Sequence, residues 1–330
     1  MEYRFLGKTG VKVSQLCFGT MSFGGDADEE TSAALYHRCR EAGINFFDCA
    51  NMYQRGMAEE ILGRLIHDER DLVVITTKAY FPMGEGVNDR GASRRHLRLA
   101  LEASLRRLQT DFVDILFIHR FDEYTDLAET LSTLNDLVRQ GKVLYLGASN
   151  FAAWQVEKAL GLSALHGWEA FSVLQPMYNL VKRQAEVEIL PMAQAENLAV
   201  IPYSPLGGGL LTGKYGMDRP PESGRLVTNK MYQTRYGEPL MHEVAERFTA
   251  FARERGYHPA SLAVAWVGSH PAVTAPIIGA RNVEQLEDSL RSVDIPMTPE
   301  LRAEISALSP EPPPATDRTE ERTAFRLAGR

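Results

Sequence analysis

Along this chain, short apolar runs alternate with longer segments in which apolar residues return every three or four positions. Residues 16–19, 45–48, 72–76, 115–118, 143–147, 171–174, 199–202 and 274–277 are the short runs. Their nearly continuous apolar character predicts strands of a parallel sheet covered on both faces. Segments 29–42, 58–66, 93–108, 127–139, 154–162 and 184–196 carry the helical period. Gly43 after Glu41-Ala42, and Gly141 after Arg139-Gln140, stand where helices end in a left-handed residue. Ahead of the first strand, residues 3–6 and 11–14 flank Gly7-Lys8-Thr9-Gly10, which predicts a hairpin capping the bottom of the sheet. Eight strand–helix units favour a closed (β/α)8 TIM barrel, although a doubly wound open sheet gives the same alternation.

Two regions break the rhythm. Residues 216–239 are rich in Pro, Gly and charge and predict a long loop, of the kind that closes over sites. Residues 309–330 contain Pro310, Pro312, Pro313 and Pro314 and predict a loose surface tail after one domain spanning 1–308.

Composition narrows the function. A net charge of −7 weighs against a nucleic-acid footprint, although a local anion pocket stays open. Cys17, Cys39 and Cys49 form no C-x-x-C pair, which points to a reducing, cytoplasmic setting. There is no signal-peptide pattern at the N-terminus and no apolar run of membrane-spanning length. The eight histidines show no H-E-x-x-H or clustered Cys/His spacing, so no metal is expected. Cys49 reads as a buried thiol, and Glu59 and Glu60 as acids favoured in a first helical turn.

In a barrel of this kind, reacting groups sit at the C-terminal ends of strands. Asp48 ends the second strand, Lys78 follows the third, His119 follows the fourth, and Tyr53 lies in the loop behind Asp48. Each type alone is weak evidence, but together they fit carbonyl reduction. A phenol is a sluggish acid–base group at neutral pH, and a nearby ammonium stabilises its anion. A carboxylate would orient that ammonium, and an imidazole would hydrogen-bond the substrate oxygen where charge develops. Gly19-Thr20-Met21-Ser22-Phe23-Gly24-Gly25 after the first strand lacks the spacing of a Rossmann turn. Gly208 to Lys214 fits G-x-x-x-x-G-K, but Tyr215 stands where a phosphate-binding loop needs Ser or Thr.

At these residues the chain resembles the aldo-keto reductases over roughly residues 2–308, in the bacterial-type or potassium-channel-beta-like branch. The segment from Gly43 to Tyr53, with Ala58-Glu59-Glu60-Ile61-Leu62-Gly63 behind it, is similar to the family segment bearing the catalytic Asp and Tyr. Ile75-Thr76-Thr77-Lys78 resembles the lysine strand, and Asp114 to Asp122, centred on His119, the histidine strand. Gly141-Lys142-Val143-Leu144-Tyr145-Leu146-Gly147-Ala148-Ser149-Asn150-Phe151 resembles the fifth-strand segment. The resemblance implies NADPH-dependent reduction of a small aldehyde or ketone, with Tyr53 as general acid, Lys78 and Asp48 tuning it, and His119 orienting the carbonyl. Its alternative is an NADPH-binding, redox-sensing regulatory subunit with slow turnover. Such channel subunits carry Asn at the histidine position, so His119 favours the reductase. A metal-dependent hydrolase on the same barrel lacks ligands.

The resemblance also implies how NADP(H) is held. Gly19, Thr20, Met21 and Asp48 border it at the first two strands, while Ser149, Asn150 and Gln175 hold the carboxamide. Tyr203 stacks on the nicotinamide ring. Ser204, Pro205, Leu206, Gly208, Leu210 and Lys214 belong to a pyrophosphate loop, where small residues let backbone N–H groups approach phosphate. Gly279, Arg281, Gln285 and Asp288 surround the adenosine end, with Arg281 on the 2′-phosphate. Ser289 stands where the family often has Asn against adenine, and Arg225 resembles a phosphate clamp of some members. Met21, Tyr53, Tyr80, Phe81, His119, Arg120 and Phe121 would border the substrate, an aromatic and apolar mouth with one cation.

Overall fold

In a computed structural model, which describes residues 1–215 and 224–318 and only the backbone of Arg225, eight parallel strands run side by side. They are β3 (Cys17–Gly19), β4 (Phe46–Asp48), β5 (Val74–Ala79), β6 (Val113–Ile118), β7 (Val143–Ser149), β8 (Phe171–Gln175), β9 (Ala199–Val200) and β10 (Ile277–Ile278). Each pairs in parallel with the next, and β10 pairs with β3 through Ile277–Cys17 and Ile278–Phe18. Thr274 N donates to Val200 O at 2.8 Å and Ile277 N to Pro202 O at 2.9 Å, which ties the last strand to β9 and closes the ring. Closure separates the barrel from the open sheet that the alternation alone allowed.

Two layers of apolar residues follow from strand alternation. Phe46, Val74, Ile115, Phe117, Val173, Ala199, Ile201, Ala275 and Ile277 fill the barrel interior. Phe18, Phe47, Ile75, Leu116, Leu146, Leu174 and Val200 face outward onto the helices. The hairpin of β1 (Tyr3–Phe5) and β2 (Lys12–Ser14) sends the fully buried Leu6 and Val13 into the interior set, so it plugs the bottom. Its turn needs Gly7: φ is +56°, and a Cβ there would come within 2.7 Å of Ala199 N.

The surrounding helices are α1 (Glu29–Glu41), α2 (Met57–Ile66), α3 (Arg94–Leu108), α4 (Leu127–Arg139), α5 (Ala153–His166) and α6 (Ile189–Ala195). After the undescribed residues come α7 (Arg225–Thr228), α8 (Lys230–Tyr236), α9 (Pro239–Glu254), α10 (Pro259–Gly268), α11 (Val283–Leu290) and α12 (Pro299–Ser306). Asp28, Ser93, Asp126, Asn282 and Thr298 cap helices by accepting a backbone N–H. Ala42 and Gln140 end α1 and α4, and Gly43 and Gly141 follow with φ of +85° and +71°.

Two expectations about elements are corrected. The single helix over 184–196 is a short 3-10 turn, Gln184–Glu186, followed by α6. Pro191 lacks an N–H and fits only a first turn, which sets the helix start close before it. The composition of 216–239 predicts a loop, yet its described part holds α7 and α8. Asn229 caps α8 by accepting from Met231 N and Tyr232 N, and Tyr232 and Tyr236, four residues apart, are both buried. Residues 216–223, and residues 319–330 of the expected tail, lie outside the described residues. The start of that tail is tied down: Arg183 donates to the carbonyls of Ser306 and Ser309 at 2.9 and 3.3 Å.

Candidate active site

At the C-terminal end of the barrel, strand alternation turns Asp48, Thr76 and Lys78 to the same interior space. Thr76 pairs with Asp48 in register, and Lys78 lies two residues further along β5. Lys78 is completely buried, and its three ammonium protons have three acceptors. They are Asp48 Oδ2 at 2.6 Å, the Cys49 carbonyl at 2.8 Å and the Tyr53 hydroxyl at 3.1 Å. The other Asp48 oxygen accepts from Thr76 Oγ1 at 2.7 Å and Gln175 Nε2 at 2.8 Å. A buried carboxylate and ammonium with so complete a set of partners are held in one geometry, which a bare ion pair in the interior would not be.

Tyr53 opens a tight turn, Tyr53–Gly56, in which Gln54, Arg55 and Gly56 all have positive φ (+47°, +55° and +101°). His119 follows β6, donates its backbone N–H to Ala79 O at 3.1 Å, and presents its ring edgewise to Tyr53 and Phe81 at 6.2 and 4.9 Å between centroids. Its Nδ1 is buried without a protein partner. Asp48, Lys78 and His119, expected from strand ends, and Tyr53, expected in the loop behind Asp48, are therefore gathered around one point.

Their ionisation follows from the surroundings. Burial raises the Tyr53 phenol and the Lys78 charge pulls it back, and burial prevails, leaving it at about 12. Burial works against the Lys78 ammonium, but the Asp48 carboxylate and then Tyr53 outweigh it and hold lysine above its ordinary range. His119 is pushed well below the usual imidazole value, by burial first and by the Lys78 charge second. Near neutral pH the cluster is thus a protonated phenol, an ammonium and a neutral imidazole.

Next to this cluster lies a second polar group. Ser149 Oγ donates to the Gln175 carbonyl at 3.0 Å. Asn150, in the left-handed region at φ +57°, donates through Nδ2 to the His119 carbonyl at 2.9 Å and accepts the Tyr203 hydroxyl at 2.8 Å. Thr20 donates both its N–H and its hydroxyl to the Asp48 carbonyl, at 2.9 and 3.1 Å, and Met21 O accepts from Gln54 Nε2 at 3.4 Å. Gly19 packs on Ile277: a Cβ there would meet Cγ2 at 2.8 Å. Beyond Tyr203, positive φ values at Ser204, Gly207, Gly208 and Gly209 coil the chain tightly, with Pro205 and Leu210 buried and Lys214 exposed. A Cβ on Gly208 would run into the Tyr232 ring, so α8 packs directly on this coil.

At the far end, Ser22 Oγ donates to Ala280 O at 2.7 Å and joins the loops after the first and last strands. Asn282 caps α11, and Gln285 Oε1 accepts from Arg281 N at 3.3 Å. Gly279 is exposed, Arg281 half-buried, and Ser289 Oγ buried without a protein partner. Asp288 faces Arg291 and His258, at 3.5 and 3.8 Å. The Arg225 side chain lies outside the described residues.

The expected mouth residues divide. Tyr80 and Phe81 meet edge to face at 5.2 Å between centroids and continue the ring contacts through His119 to Tyr53. Phe121 belongs to a separate aromatic group with Phe151 at 5.2 Å and Trp154 at 6.1 Å, and Arg120 is exposed. Trp154, 61 % exposed, was not foreseen, because a lone exposed aromatic has no period to betray it. Arg235, whose guanidinium lies 6.0 Å from the Tyr203 ring, was missed with the helix that carries it. Thr76, which donates to Asp48, is a further residue the sequence reading does not single out, although alternation along the strand puts it on the Lys78 face. Glu59 is more than a helix-start acid: it is fully buried, accepts from Thr77 Oγ1 and pairs with Arg107 Nε at 2.7 Å. Cys49 is buried, and burial drives its thiol up, out of the reactive range.

Among the described residues, no group of three or more His, Cys, Asp or Glu is placed to hold a metal, and no helix is long and apolar enough to cross a membrane. Comparison with known proteins matches residues 15–310 to the Aldo/keto reductase family. The chain is 38% identical to the oxidoreductase YrpG of Bacillus subtilis, over 94% of this chain and 97% of that protein. It is 36% identical to a protein of Oryza sativa described as a probable voltage-gated potassium channel subunit beta, over 96% and 99%. It is 32% identical to versiconal hemiacetal acetate reductase of Aspergillus parasiticus, over 91% and 94%.

Proposed function

The chain belongs to the aldo/keto reductase family of oxidoreductases acting on carbonyl groups, and from that premise we propose that it reduces an aldehyde or ketone with NADPH, Tyr53 giving the proton. The observation that carries this reading is the contact of the Lys78 ammonium with both the Tyr53 hydroxyl and the Asp48 carboxylate.

The residues present fit a nicotinamide dinucleotide. Ser149, Asn150 and Gln175 offer amide and hydroxyl groups for a carboxamide, and Tyr203 offers a ring face. The positive-φ coil 204–209 and Lys214 suit a pyrophosphate. Arg281 before the N-terminus of α11 suits a 2′-phosphate, by forked hydrogen bonding and by the helix dipole. Ser289 Oγ, buried without a protein partner, fits a polar edge at the adenosine end. When bound, the cofactor supplies the hydride for the carbonyl carbon.

The chain's own residues handle the oxygen. Tyr53, protonated at neutral pH, gives its proton to the developing alkoxide, and the phenolate left behind is stabilised by Lys78 before it recovers a proton from solvent. Asp48, anchored by Thr76 and Gln175, keeps the ammonium in place. His119, neutral at working pH, donates an N–H to the carbonyl oxygen and polarises it without competing as an acid.

The test is NADPH oxidation across a panel of aldehydes and ketones by the wild type and Tyr53→Phe. The variant should lose about 10²–10⁴-fold in kcat, as loss of a general acid does, while its NADPH affinity by fluorescence stays at the wild-type level. Undiminished turnover in Tyr53→Phe rejects the proton-donor role. A second reading, an NADPH-binding regulatory subunit, is supported by the likeness to a protein described as a channel subunit. Tight NADPH binding with a kcat far below the usual ~1 s⁻¹ on every carbonyl would favour it.

A further inference from the structure

Three consecutive residues behind Tyr53 sit in the left-handed region, and two of them, Gln54 and Arg55, are not glycine. Such a turn persists only where its surroundings over-determine it. Two contacts do so. Toward the barrel mouth, the Gln54 side chain lies against Gly25 and reaches the Met21 carbonyl. From the outside, the stem of Arg107 on α3 fills the space beneath Gly56: a Cβ there would come within 2.7 Å of its Cδ and 2.9 Å of its Nε.

Arg107 is itself held by a fully buried carboxylate. Its Nε donates to Glu59 Oε2 at 2.7 Å, and its Nη2 to Ser104 Oγ at 3.3 Å. The second Glu59 oxygen accepts from Thr77 Oγ1, whose residue neighbours Lys78 on β5. One ion pair therefore ties α3, α2, the lysine strand and the turn that carries Tyr53. An apolar pair of similar volume is often as stable as a buried ion pair, so stability alone is a weak account of this one.

We propose that Arg107 and Glu59 are positioning residues for proton transfer, setting the Tyr53–Gly56 turn so that the phenol stays in contact with Lys78. This rests on the reading of Tyr53 as proton donor. Neither residue touches the reacting atoms. Misplacement of a reacting group by about 1 Å costs on the order of 10²-fold in rate.

The surroundings of Arg107 supply a direct test. It borders a solvent-open cavity of ≈ 370 Å³ shared with Glu60, Arg64, Ala103, Arg106 and Gln109. A small cation can therefore reach Glu59 once the Arg107 side chain is cut away. Arg107→Ala should lose about 10–100-fold in kcat, with NADPH affinity unchanged, and sub-denaturing guanidinium chloride should restore much of the rate. Arg107→Lys, which keeps the charge, should fall between. Tyr53→Phe in the same buffer should show no rescue.

If Arg107→Ala fails to fold, Gly56→Ala carries the test. It pushes on the Arg107 stem and strains the turn without changing any charge, and should lower kcat at unchanged NADPH affinity. Wild-type kcat per folded molecule in the variant that folds, or a loss that guanidinium leaves untouched in Arg107→Ala, overturns the proposal. If Tyr53→Phe keeps full turnover, the proton-donor reading fails instead. If Tyr53→Phe is inactive while Arg107→Ala runs at the wild-type rate, only the positioning role is lost.

Discussion

A buried lysine ordinarily gives up its proton to escape desolvation, and Lys78 does not because all three of its donors are taken. The Asp48 carboxylate and then Tyr53 outweigh burial, while the Cys49 carbonyl takes the remaining donor. The same charge helps to keep His119 neutral. On the loop before α11, Arg281 is half-buried and has no carboxylate among the ion pairs of the described residues, unlike Arg291, which faces Asp288. A cation so placed can give its hydrogen bonds to a phosphate. Arg281→Ala should weaken NADPH by about 10–100-fold, the range of a charge-assisted hydrogen bond, and leave NADH nearly unchanged. Titration of both cofactors by protein fluorescence decides it, and equal weakening of the two removes the 2′-phosphate role.

At the scale of elements, the barrel strands were legible because both of their faces are buried, and each lies within a few residues of where the apolar runs put it. With the strand ends came Asp48, Lys78 and His119, and the loop signature brought Tyr53. Legibility ended where structure is set by contacts distant in sequence. Helix α8 is too short to show a period, and Tyr232 and Tyr236 become a buried stripe only against the coil at Gly208. Glu59 looked like any acid in a first turn until Arg107, 48 residues on, covered it. Gly147 is another such case. It pairs with Phe117 and Val173 at the register shift of β7, and a Cβ there would enter the Phe117 ring inside the barrel. Gly147→Ala should therefore overpack the interior at a cost of about 1–3 kcal/mol and lower the melting temperature by about 2–10 °C. An unchanged melting curve by circular dichroism would mean that the strand pair has slack.

For the molecule as a whole, stability toward acid should be set in part by histidines that fold without their proton. His270 is the clearest outside the candidate site. Its Nδ1 accepts from Ala272 N at 3.1 Å, its ring lies edgewise to Tyr178 at 5.7 Å, and burial, then the Arg302 charge, lowers it to about 4 against the opposing pull of Glu186. The native state thus refuses a proton that the unfolded chain binds near pH 6.5. The stability this contributes is present in full above pH 6.5 and is lost as pH falls toward 4. A shift of this size corresponds to on the order of 3 kcal/mol at most, and solvent screening at a partly exposed ring reduces it to about 1–2 kcal/mol. In His270→Asn an amide oxygen can accept the same N–H without titrating, whereas His119 and His96, also depressed by burial, remain in both proteins and cancel from the difference. Urea unfolding midpoints of wild type and His270→Asn, measured from pH 7.5 to 4.5, should therefore converge or cross as the pH falls. Curves that stay parallel would place the acid sensitivity of the fold elsewhere than in this imidazole.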